Sequence, residues 1–260
     1  MIGDIVIKLK SVDSTNSYAR ELLQSTKVND GTAIVAEEQF AGRGQHANVW
    51  ETQSGKNLTL SVVLYPKFLQ IVNQFLLSQF VALAVRNTVE NLLKSVNCNE
   101  KVWVKWSNDI FVKNRKIGGI LIENSLRGNL IDNTIVGIGL NVNQIEFVSD
   151  LTQKASSLLK ITDFQFDLGE VSKILFSYLQ KYYDWLQNNP NTIKQEYLEY
   201  LLGYKKINLF SDYHSQFSGK IVGIDEIGRL KIEKESGKIM KYEIKEVEFV
   251  NLYENASIFS

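Results

Sequence analysis

Four short segments hold the residues whose types and spacing could do chemistry. The first is Ala41-Gly42-Arg43-Gly44-Gln45, running on to Trp50. Its glycines allow close backbone approach, so successive N–H groups can face an anion. Arg43 adds a planar fork suited to phosphate or carboxylate. The second is Lys105-Trp106-Ser107-Asn108-Asp109, where a cation stands beside a polar turn. The third is Arg115-Lys116-Ile117-Gly118-Gly119-Ile120-Leu121-Ile122-Glu123. A glycine pair in an apolar strand weakens it, so something usually approaches that backbone closely. The fourth, Gly137-Ile138-Gly139-Leu140-Asn141, repeats the pattern. It is not a dinucleotide fingerprint, because Val142 stands where the third glycine belongs. Taken singly, each segment also reads blandly: an exposed glycine loop, a Ser-Asn-Asp turn, a β-bulge with an exposed lysine.

These segments need rigid elements to hold them. Residues 4–10 alternate as a strand. The cap formers Asp13, Ser14, Thr15 and Asn16 then precede the helix-like SYARELLQ. Strands are expected at 32–39 and 58–65, and a long helix at 70–96, where Val72, Leu76, Phe80 and Leu83 recur at helical spacing. Further strands are expected at 102–106, 109–112, 117–123 and 130–143, and helices at 168–188 and 192–202. After Gly203 short alternating strands follow, with turns at Gly219, Gly228 and Gly237. Strands and helices do not alternate regularly, so the order predicts α+β and disfavours a doubly wound parallel sheet.

Composition narrows the function. At 260 residues the chain suits one large domain and a small appendage. Lys+Arg and Asp+Glu are both 29, so no global field attracts nucleic acid. Cys98 stands alone, which excludes an intramolecular disulfide framework, and His46 and His214 are too few for a His-rich metal site. No apolar run is long enough for a bilayer span, and the first ten residues lack a signal-peptide core. A cytoplasmic enzyme or binding protein is expected, without membrane or nucleic-acid partners.

In order and spacing, Ser14-Thr15-Asn16, Gln39 with the AGRG loop, KWSND, RKIGGILIE, GIGLN and the ASSL at Ala155–Leu158 resemble the biotin–protein ligases. The resemblance spans roughly residues 8–160 by motif. It implies a mixed, mainly antiparallel sheet with helices packed on it, a class II synthetase-like catalytic domain at 1–204, and a small SH3-like β-barrel at 205–260. It implies biotin and ATP as substrates with Mg²⁺, biotinyl-5′-AMP as intermediate, and transfer to one lysine of a biotin carboxyl carrier domain of a biotin-dependent carboxylase. Only 13 residues precede Ser14, so a ligase without a helix-turn-helix domain is expected. A homodimer is left open.

By similarity, Ser14, Thr15, Asn16 and Gln39 serve the ureido head of biotin. Gly42, Arg43, Gly44 and Gln45 border its carboxylate and the phosphate, with Trp50 closing over the ligand. Lys116 meets the carboxylate and α-phosphate, and Lys105 the phosphates, so Lys116, Arg43 and Lys105 carry the catalysis. Asn108, Asp109 and Asn141 shape the nucleotide side, while Gly118, Gly119, Gly137 and Gly139 leave room for the ligand. The residue types suit this chemistry, because attack of a carboxylate on phosphorus needs positioning and cations, not a nucleophilic side chain. The chain departs from the family's usual residues at Gln45 (Arg), Ala47 (Gly) and Ser107 (Pro). Two rivals share its logic: a lipoate–protein ligase, and a non-catalytic nucleotide- or vitamin-binding module.

Overall fold

The computed structural model describes residues 1–45, 48–148, 154–254 and 256–259. His46 and the departure at Ala47 lie outside the described residues. Seven strands form one mixed sheet: β1 (Val6–Val12), β2 (Thr32–Gln39), β3 (Leu58–Leu64), β4 (Val102–Lys105), β5 (Asp109–Val112), β6 (Arg115–Arg127) and β7 (Leu130–Leu140). Their order is β1-β2-β3-β7-β6-β5-β4. Only β1 and β2 run parallel; the other pairs are antiparallel. The interior strand β3 is buried at every position, so both faces of the sheet are covered there.

Alternation along the strands divides the core. Leu60 and Val62 face the large cluster under α2 (Phe75–Ser95), α4 (Leu168–Asn188) and α5 (Pro190–Glu199). Ile34, Val63 and Ile135 face the other way and pack with Ala19 of α1 (Thr15–Ser25). Helix α2 is apolar nearly all round because it lies between the sheet and α4 with α5. Asp167 caps α4 by accepting from the Glu170 N–H, and Pro190 opens α5, where its missing N–H costs nothing.

Four expectations shift. The helix expected from residue 70 begins at Phe75, after a 3₁₀ turn at Ile71–Asn73. Residues 69–71 are tied to the β6–β7 hairpin by Ile131 N to Leu69 O (3.1 Å) and Ile71 N to Asn129 O (3.0 Å), so the chain cannot coil until that pairing ends. Strand β7 stops at Leu140: Asn141 N still reaches Ile117 O of β6, but Val142 N turns away to Asn57 Oδ1. The short α3 (Leu158–Thr162), capped by Ser157, falls where no helix was expected. Gly219 is not a turn; it lies inside a strand, where Ile232 leaves no room for a Cβ.

The C-terminal residues build a second, antiparallel sheet: β8 (Ile207–Asp212), β9 (Gln216–Ile224), β10 (Leu230–Lys234), β11 (Ile239–Tyr242) and β12 (Val247–Phe249). Its order is β11-β10-β9-β8-β12. The expected closed barrel is not what this pairing gives. The sheet is open, and its outer strands, four and three residues long, do not pair with each other among the described residues. Gly228 and Gly237 do form turns, at φ of 100° and 80°. Trp106 joins the sheets by donating to Gly228 O at 2.9 Å.

Candidate active site

A cavity of about 230 Å³ opens over β6 and β7, between the start of α1, residues 43–45 and 48–50, the β4–β5 turn and residues 244–248. Ser14, Thr15 and Asn16 stand at one end because the cap cluster breaks the chain out of β1 into α1. All three are buried. Thr15 N donates to Gln39 Oε1 at 2.8 Å, which fixes the Gln39 amide at the end of β2. Asn16 Nδ2 donates to Glu123 Oε2 at 2.8 Å. Behind them Ser61, fully buried on β3, contacts Thr15 Oγ1 at 2.7 Å and Asn16 Oδ1 at 2.6 Å. This end offers short neutral donors and acceptors.

The opposite end carries charge. Lys116 Nζ pairs with Asp109 Oδ1 at 2.6 Å, and Lys105 lines the same wall. Arg43 stands nearer the neutral end, reaching at 3.3 Å the Glu123 carboxylate that also takes Asn16. The Lys116 backbone is fixed on both sides: its N donates to Lys154 O at 2.9 Å and its O accepts from Ser156 N at 3.0 Å. A second cavity of about 650 Å³ continues past Lys105, Asp109 and Lys116 toward Lys154 and residues 251–254.

Glycines form the floor. Gly137 and Gly139 share a face of β7, two residues apart. A Cβ at 137 would collide with Asn16 Oδ1, and one at 139 with the Trp50 indole. Gly119 meets the same ring. Trp50 is half-buried, with its indole Nε1 buried and unpartnered among the described residues, and Lys116 Nζ lies 5.8 Å from the ring centre.

The structure thus brings Ser14, Thr15, Asn16, Gln39, Arg43, Gly44, Gln45, Trp50, Lys105, Asn108, Asp109, Lys116, Gly119, Gly137 and Gly139 to one cavity. Gly42, Gly118 and Asn141 stand behind its wall. Gly42 lets the Trp50 carbonyl pass, Gly118 abuts Gly139 O, and Asn141 Nδ2 donates to Ser156 O at 3.1 Å. Gln45 and Ser107, two departures from the family's usual residues, meet: Ser107 Oγ donates to Gln45 Oε1 at 3.2 Å.

Sequence reasoning missed Leu121, on the glycine face of the sheet, and the contribution of Ile244, Lys245, Val247 and Glu248. It also missed Ser61. The available signal was a serine inside a β-rich apolar run, LTLSVVLY.

A narrow cavity with a neutral polar end, a cationic end and a glycine floor suits a ligase that joins a neutral-headed acid to a phosphate. Comparison with known proteins agrees. The model of the biotin/lipoate A/B protein ligase family matches residues 9–141. The bifunctional ligase/repressor BirA of Bacillus subtilis (strain 168) is 31% identical over 241 residues, covering 91% of this chain and 72% of that protein. The biotin--[acetyl-CoA-carboxylase] ligase of Paracoccus denitrificans is 32% identical over 134 residues, 52% of this chain and 53% of that one. A biotin protein ligase from Aquifex aeolicus, solved in complex with biotin and ATP, matches with a TM-score of 0.77 and 29% identity, covering 95% of this chain and 99% of that one. The chain belongs to the biotin/lipoate A/B protein ligase family.

Proposed function

We propose that this cavity activates biotin with ATP and passes the biotinyl group to a lysine of a biotin carboxyl carrier domain. A biotin carboxylate oxygen attacks the α-phosphorus, the bond to pyrophosphate breaks, and biotinyl-5′-AMP results. The acceptor amine then attacks the acyl carbon, AMP leaves, and the amine sheds its proton. One observation carries the reading: neutral hydrogen-bonding groups and three cations line one glycine-floored cavity. The neutral end suits a cyclic urea. Lys116, Arg43 and Lys105 sit where carboxylate and phosphate charge would collect, and Lys116 must exchange Asp109 for that ligand. The unpartnered Trp50 N–H is a group a ligand could satisfy.

Among the described residues no group of three His, Cys, Asp or Glu is placed to hold a metal ion. Asp109 and Asn108 fit an Mg²⁺ that arrives on the triphosphate with its own waters, not a resident ion. When bound, Mg²⁺ would neutralise phosphate charge. On this reading residues 1–204 are a catalytic domain of the class II synthetase kind, and 205–260 are the family's small barrel in an opened form. Among the described residues no helix is long and apolar enough to cross a membrane. A cytoplasmic setting goes with an ATP-consuming reaction. A homodimer is compatible with this reading.

The test is incubation with biotin, MgATP and a carrier domain, read by mass. One biotinyl addition on the carrier supports the reading; lipoyl transfer in its place, or binding without pyrophosphate release, overturns it.

A further inference from the structure

Glu123 does not line the cavity, yet its carboxylate takes Asn16 Nδ2 at 2.8 Å, Arg20 at 2.6 Å and Arg43 at 3.3 Å. We propose that Glu123 anchors a one-way hydrogen-bond relay that makes Thr15 Oγ1 and Gln39 Oε1 a paired acceptor for an N–H of the ligand's head. Glu123 is then a positioning residue that selects a cyclic urea over a ring without N–H groups. The inference rests on the biotin reading above and deepens it.

The direction of the relay follows from counting protons. An ionised carboxylate only accepts, so Asn16 must point its amide nitrogen toward Glu123. The Leu121 carbonyl, at 3.3 Å from the same nitrogen, demands the same orientation. Asn16 Oδ1 therefore faces Ser61 Oγ at 2.6 Å, and two acceptors so close would repel. The single Ser61 proton must go to Asn16. Thr15 Oγ1 lies 2.7 Å from Ser61 Oγ, so that contact must be filled by the Thr15 proton. The Thr15 hydroxyl is then spent inside the wall.

What is left faces the cavity. Thr15 Oγ1 stands 3.1 Å from Gln39 Oε1, and no proton remains to lie between them. The Thr15 N–H has already fixed that Gln39 oxygen as an acceptor. Two buried-side acceptors facing each other across 3.1 Å are mutually unfavourable until a donor arrives. A urea N–H satisfies both; a dithiolane ring has nothing to give. The distant carboxylate thus selects the ligand head without touching it.

Calorimetric biotin affinity of the full chain, without ATP, tests this for wild type, Glu123→Gln and Ser61→Ala. Glu123→Gln removes the fixed polarity, because its amide can also donate. Ser61→Ala breaks the relay while leaving Glu123 and both arginines in place, so it separates the relay from any effect of freeing Arg43. Each variant should weaken biotin roughly 5- to 10-fold, the scale of one lost hydrogen bond. The double variant should be little worse than either single one, because both break the same chain. A biotin derivative methylated on the urea nitrogens should bind wild type poorly, and the variants should discriminate against it less. A biotin affinity within twofold of wild type in folded Ser61→Ala, or unchanged discrimination, overturns the relay alone, whether or not Glu123→Gln folds. Wild type failing to bind biotin overturns the functional reading as well.

Discussion

Lys116 is held in place before any substrate arrives. Its backbone is clamped between Lys154 and Ser156, and its ammonium rests on Asp109. Lys116→Ala should lower adenylate formation by about 10²–10³, the loss of one contact to developing charge. The Asp109 carboxylate left behind would also repel phosphate. Pyrophosphate release from biotin and MgATP measures this, with near-normal rates in a folded variant counting against the role. Gln45 is a subtler case. It hydrogen-bonds Ser107, so the neutral side chain at the cavity rim is anchored by another of the departures from the family's usual residues. Gln45→Arg would exchange that bond for a charged fork. Charge-assisted bonds are about twice as strong as neutral ones, so biotinyl-5′-AMP should leave several-fold more slowly in a chase without acceptor. An equal or faster off-rate would show that Arg43, Lys105 and Lys116 already satisfy the phosphate.

At the scale of elements, strand β7 shows what the sequence could and could not tell. Gly137 and Gly139 were legible as a gap, because glycine in an apolar strand has little other use. What fills the gap was not legible: Asn16 comes from α1 and Trp50 from a segment far along the chain, and no local pattern encodes their meeting. The same division holds elsewhere. β2 and α4 begin and end where period and caps say, since each carries its own signal. The start of α2 was misread because pairing of residues 69–71 with the β6–β7 hairpin, a tertiary event, overrides helical spacing. Ser61 and Glu123 stayed without a role because each acts through another side chain. The gap yields a test. In Gly139→Ala the new methyl collides with the indole, so Trp50 must leave the floor and loosen the neighbouring Arg43–Val49 backbone bridge. Tryptic cleavage after Arg43 should then be faster than in wild type, and biotinylation slower. Equal cleavage rates would mean that the indole does not close this segment.

At the scale of the whole molecule, the C-terminal sheet completes the cavity. Ile244, Lys245, Val247 and Glu248 line it, and Phe210, Ile221 and Ile232 belong to the same apolar cluster as α2. Loosening the small sheet should therefore be felt at the site. Asp212 is the place to loosen it. One carboxylate oxygen accepts the His214 and Ser215 N–H groups, both at 3.0 Å, and closes the β8–β9 turn. The other accepts from Lys234 on β10 and Tyr242 on β11, both at 3.2 Å. Burial alone would raise its pKa, but these donors hold it at about 2, below its ordinary 3.8. The sign follows from linkage. The unfolded chain binds the proton more readily, so the ionised group stabilises the fold fully above its ordinary pKa. That stabilisation is lost as pH falls from about 4 toward 2. Asp212→Asn should lower the urea midpoint at pH 7, and the gap to wild type should narrow between pH 4 and pH 3. Biotin with ATP should raise both midpoints by mass action. If the strands unfold as one unit with the large sheet, Trp fluorescence and far-UV dichroism should shift together in the variant. A gap that stays constant down to pH 3 would mean that the carboxylate charge contributes nothing, and that the asparagine effect is only a weaker turn.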